Sequence, residues 1–232
     1  MKYSSNKFYC FSPPVMLATI IIELSLAIYT LIRYKLNPKK RLVLAILLLL
    51  ATFQLAEYSV CGRFNLNAEA WSRVGFVAIT MLPPLGLHLI KVIAGKSAKL
   101  LLLVAYLSAL VWIVAFTFSS NVFAGQVCAG NYVIFRLTST ANLGYFIYYY
   151  SWLFISILLA LYWARDTKKQ TSRALMLIIL GYLVFLVPTT MINNLYPNSG
   201  RGIPSIMCGF AVFYAIILVF GVMPLSLDKR KA

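Results

Sequence analysis

The chain has 232 residues, of which 62% are hydrophobic and only 11% charged, where a water-soluble domain carries roughly 25% charged residues. A mean hydropathy of +0.85 excludes a fold built around one small core in water. The formal charge of +16 sits in short segments beside apolar runs, where it orients helices and meets anionic lipid, so nucleic acid is not an expected partner.

Seven apolar stretches each approach the ~20 residues that span a hydrocarbon layer of about 30 Å. They cover Pro13–Tyr34, Leu42–Val60, Trp71–Ala94, Leu100–Phe118, Ala141–Ala164, Ala174–Asn193 and Ile203–Leu225. The runs are continuous rather than alternating, which predicts helices and not barrel strands. The first is too long for a signal-peptide core and has no small-residue cleavage site after it. Arg33, Lys35, Lys39, Lys40 and Arg41 follow it at once, so it reads as a retained span. Alternate ends and loops, beginning with the Met1–Ser12 tail, hold six of the 21 Lys and Arg residues, and the others hold fifteen. The basic set should face the cytoplasm, leaving the N-terminus outside and the C-terminus inside. The expected fold is therefore all-α: a single seven-transmembrane helix bundle over residues 1–232, multi-pass in the cell membrane, with the lipid bilayer as its first partner.

Taken in chain order, the spans carry few polar groups. Glu23 lies near the middle of span one, and Gln54 and Glu57 lie three apart on one face of span two, in its outer half. In span three, Pro83 and Pro84 each remove a helical N–H and crowd the preceding turn, so the helix must kink there. Carbonyls around Ile79 and Thr80 then need other partners. His88 and Lys91 follow in the inner part of the same span; Lys91 can snorkel to the interface, and His88 reads as a hydrogen-bonded packing residue or a pH-responsive one. The long connection Ser119–Thr140 predicts a short β-hairpin over Val122–Leu137, turning at Gly130–Asn131 above the extracellular mouth. Span five carries Asn142 and Tyr145 at its outer end and a Tyr148–Tyr149–Tyr150 run deeper, and span six has Pro188, Thr189, Thr190, Asn193 and Asn194 in its outer half.

Glu57, Gln54, Asn142, Tyr145, Thr189 and Asn193 converge in depth. They either line an outward-opening ligand pocket, with Glu57 as counter-charge to a cationic group, or pair among themselves and hold the bundle together. Cys10, Cys61 and Cys128 all fall on the outer side, with Cys208 near it, so a disulfide is possible there and its pairing is open; the alternative is that they are small apolar fillers. No CxxC pair is present, which argues against thiol–disulfide exchange. Span seven has no lysine for a retinal Schiff base, and one histidine cannot supply an intramembrane metal hydrolase. No phosphate-binding glycine loop occurs either. Neither enzymatic activity nor a cofactor or bound metal is expected.

Several segments carry a family resemblance. They are the basic Leu36–Arg41 turn, Glu57 near the outer end of span two, the Ala70–Trp71–Ser72–Arg73 lead-in to span three, and Met81–Leu82–Pro83–Pro84–Leu85–Gly86–Leu87–His88 within it. Together they resemble the seven-transmembrane N-terminal sensor region of bacterial histidine kinases, and the spacing of all seven spans agrees along about the whole chain. The resemblance implies a receptor-like sensor for an extracellular small molecule or peptide, with the kinked third span at Pro83, Pro84 and His88 coupling the outer pocket to the inner face. Family members usually continue into a cytoplasmic signalling domain, whereas only Leu225–Ala232 follows here. The chain is then either a fragment or acts through a separate signalling protein. The alternative is a small transporter or an accessory or structural membrane subunit; against a transporter stands the lack of inverted repeats and of paired broken helices at matching positions.

Overall fold

The computed structural model describes residues 13–60, 67–119, 121–129, 132–195 and 203–226. In chain order these form α1 (Pro13–Arg33), α2 (Pro38–Tyr58), α3 (Ala68–Thr80), α4 (Leu82–Ala94) and α5 (Lys99–Phe118). Strands β1 (Phe123–Ala129) and β2 (Tyr132–Leu137) follow, then α6 (Ser139–Arg165), α7 (Lys169–Leu195), α8 (Ile203–Ile216), a π-helical segment Ile217–Val222 and α9 (Met223–Ser226). Among the described residues, seven helical stretches are long and apolar enough to cross a membrane. The third joins α3 to α4, and the seventh runs from α8 through the π-helical segment into α9.

Several helices outrun the apolar stretches that predict them, because polar residues at their ends satisfy the orphan groups of a helix terminus. Asn37 caps α2 by accepting from the Lys40 N–H at 2.9 Å, with Pro38 at the first helical turn, so the basic Pro38–Arg41 segment is helix rather than loop. Asn67 does the same for α3, accepting from the Glu69 N–H at 2.9 Å. Gly95, at φ 67, ends α4 in the left-handed conformation that favours glycine.

The interior of the bundle is built around α2 and the α3–α4 crossing. α2 packs against α1, α3, α4 and α8, and α4 packs against α2, α5, α6 and α7. The apolar window of the third crossing is 67% buried, whereas that of α5 is only 17% buried and turns Leu100, Leu103, Leu107 and Val111 outward. Such a face is stable in lipid and unsuited to water.

Basic side chains tie the helix ends together. Lys40 is 1% exposed, and its Nζ donates to the Leu31 and Tyr34 carbonyls at 2.9 and 2.7 Å, closing the C-terminal end of α1. Lys39 Nζ reaches the Ser226 carbonyl at 3.0 Å, bringing the end of α9 to the same place. At the opposite end of the α2–α3 pair, Arg73 Nη1 donates to the Phe116 and Thr117 carbonyls at 2.7 and 3.1 Å, and its Nη2 meets Glu69 Oε1 at 2.7 Å. Cationic donors at carbonyl ends also complement the helix dipole.

β1 and β2 pair antiparallel, with register running from Phe123↔Leu137 to Ala129↔Tyr132 and an irregularity between Phe123 and Gly125. Gly125 takes φ 115 there, a conformation that a side chain would strain. The expected turn residues Gly130 and Asn131 lie outside the described residues.

Candidate functional site

A cavity of about 460 Å³ lies between α3, the β1–β2 pair, α6 and α8. Phe76 and Ile79 supply the α3 wall, Ala124 and Leu137 the strands, and Met207 and Cys208 the α8 wall. Helix α6 contributes Ser139 and Asn142 in its first turn, then Tyr145 and Tyr149 at helical spacing. Most of the lining is apolar or aromatic, with few polar groups, as is usual for a small-molecule site. A smaller void of about 30 Å³ shares Tyr149, Met207 and Cys208 with the cavity and continues toward Tyr182 and Tyr214. Room for one or two waters is present there.

Tyr145 sits at the centre of an aromatic wall. Its ring makes edge contacts with Phe116 at 5.1 Å, Trp112 at 5.3 Å and Phe76 at 5.6 Å. Such pairs add about 0.5–1.5 kcal/mol each beyond burial. Its hydroxyl lies 3.1 Å from Thr80 Oγ1, and Thr80 Oγ1 lies 2.6 Å from the Phe76 carbonyl.

Thr80 is the last residue of α3, where the double proline interrupts the third crossing. Pro83 and Pro84 lie in the first turn of α4 and have no N–H to return to the preceding carbonyls. Tyr148 supplies the missing donor: its Oη donates to the Thr80 carbonyl at 2.7 Å. The break is thus held by two tyrosines one turn apart on α6, one of which lines the cavity. Tyr148→Phe leaves that buried carbonyl without its donor. A loss of about 1–2 kcal/mol in a reversible unfolding titration is the expected result.

Of the six residues that sequence reasoning gathers into a pocket, Asn142 and Tyr145 line this cavity. Gln54 and Glu57 are buried deeper, on α2, and do not line it. Thr189 is buried with its hydroxyl on the Phe185 carbonyl at 2.6 Å, one turn before it in the helix that contains Pro188. The side chain of Asn193 lies outside the described residues, as do Cys10, Cys61 and the side chain of Cys128, so the choice between a disulfide and apolar fillers falls there too. Cys208 is a buried free thiol. His88 lies away from the cavity, with Nδ1 at 3.1 Å from Tyr106 Oη and the two rings edge to face. Phe76, Tyr149, Met207 and Cys208 were not grouped into a pocket by the sequence; the Tyr148–Tyr150 run was the available signal, since consecutive helical residues cannot all face lipid.

No family model, curated protein or solved structure matches this chain.

Proposed function

We propose that the chain is a receptor-like transmembrane sensor module, with its N-terminus outside, its C-terminus cytoplasmic and the β1–β2 pair over the extracellular mouth of the cavity. The uneven distribution of Lys and Arg supports that orientation. One observation carries the functional reading: Tyr145 both lines the cavity and bonds Thr80 at the break between α3 and α4. A ligand that engages the Tyr145 ring differently in two states of that break shifts their populations. The displaced α4 then reports at its inner end to a separate cytoplasmic or membrane protein, as the resemblance to kinase sensor regions implies. The lining favours a small molecule or peptide terminus with an apolar or aromatic body and one polar end toward Ser139 and Asn142.

Purified protein in nanodiscs, screened by thermal shift against a panel of aromatic and aliphatic amphiphiles, tests the reading. Met207→Trp fills the cavity from α8. At least one compound should raise the melting temperature of the native chain and lose that effect in the filled variant. Stabilisation that survives Met207→Trp, or a panel without any stabiliser, defeats the cavity as a receptor site. Passage of the same compounds into liposomes containing the chain alone would instead identify a transporter.

A further inference from the structure

Helix α1 brings a single carboxylic acid into the bundle. Glu23 is 0% exposed, and neither carboxyl oxygen has a hydrogen-bond partner among the described residues. It lies within electrostatic reach of Glu57 on α2, which is 1% exposed, and Cys208 on α8 is within reach of both. Helices α1, α2 and α8 pack on one another, so three separate spans bring two carboxyls and a thiol into one apolar interior. Among the described residues, Glu57 from α2 and Cys208 from α8 are the titratable groups that bear on Glu23 from the helices packed against α1. Gln54, one turn before Glu57, adds a buried Nε2 that also lacks a partner among the described residues.

An ionised carboxylate without a partner in such an interior costs several kcal/mol, and a second carboxylate nearby raises that cost. A metal ion would neutralise the pair, yet no group of three or more His, Cys, Asp or Glu side chains able to hold one occurs among the described residues. A proton requires only one oxygen. Ionisable groups enclosed in a membrane bundle commonly serve proton transfer. We propose that Glu23 is an intramembrane proton-binding site, carrying its proton as the neutral acid beside Glu57; neither glutamate lines the cavity, whose wall shares Cys208 with this cluster.

Infrared difference spectroscopy across a pH titration of the protein in nanodiscs, with and without ¹³C-labelled glutamate, tests the assignment. Glutamate occurs at Glu23, Glu57 and Glu69 in this sequence, so the band can be assigned by elimination. The expected spectrum contains one isotope-sensitive glutamic-acid carbonyl band that titrates, disappears in Glu23→Gln and persists in Glu69→Gln. Glu69 is half exposed and paired with Arg73 at 2.7 Å, which makes it the control. In Glu57→Gln the band should persist with an altered midpoint. Absence of such a band in the folded protein, its loss in Glu57→Gln, or its survival in Glu23→Gln overturns the proposal. If Glu23→Gln fails to fold, survival of the band through both Glu57→Gln and Glu69→Gln still assigns it to Glu23, and loss in either refutes that assignment.

Discussion

Lys40→Met is expected to lower the unfolding free energy by about 2–4 kcal/mol. The buried ammonium donates to two carbonyls at the end of α1, and hydrogen bonds to a charged group contribute about 1.5–3 kcal/mol each. Removing a buried charge recovers part of this, because its desolvation no longer opposes folding. Methionine nearly matches the length of the lysine stem, so little apolar contact is lost. The remaining cost is that of two enclosed carbonyls left without a donor. Lys39→Met provides the comparison: Lys39 is half-buried and donates one bond, to Ser226, so about 1 kcal/mol is expected. Reversible unfolding in mixed micelles measures both. Equal, small losses for the two variants would show that Lys40 serves only to orient the chain during insertion.

Gly181→Ala should cost about 1–3 kcal/mol through a different route. A Cβ on Gly181 of α7 would overlap Tyr214 Cδ2 and stand 3.0 Å from Cε2, inside normal contact. The Tyr214 ring cannot easily give way. It is buried, stacked on Tyr182 at 5.3 Å and set against Phe185 at 5.9 Å. The added methyl therefore separates α7 from α8, and overpacked cores lose stability on this scale. Tyr214→Leu in the same chain should recover part of the loss, giving a coupling of about 1–2 kcal/mol in a double-mutant cycle. Strict additivity would mean that the two helices do not meet at this glycine.

The crossings were legible in the sequence because apolar length is a direct demand of the bilayer, and Pro83–Pro84 announced the break in the third one by removing two donors. The partner of the freed carbonyl was not legible. Tyr148 is one of three consecutive tyrosines, and only the rotation of α6 against α4 selects which of them reaches Thr80. Gln54 and Glu57 lie three apart on α2, so spacing puts them on one face, and both are buried. Which neighbour that face meets is a tertiary matter: neither residue lines the cavity, and Glu57 comes within electrostatic reach of Glu23 on α1. Met207 and Phe76 carry no chemical signal that distinguishes a cavity wall from a lipid-facing surface. Lys40 read as one of five loop cations, because a charge count does not reveal that a helix cap places the side chain beneath the end of its neighbour.

The lengths of the helices have a consequence for how a ligand would arrive. Helix α6 has 27 residues, which at ~1.5 Å per residue is roughly 40 Å, longer than a hydrocarbon layer of about 30 Å. Its surplus at one end is the turn bearing Ser139 and Asn142, the polar rim of the cavity. In the orientation proposed above, that rim would stand at the depth of lipid headgroups, where amphiphiles accumulate far above their concentration in bulk water. On the proposed reading, occupancy would follow a compound's partition coefficient as closely as its intrinsic affinity, and the surrounding lipid would act as the antechamber of the receptor.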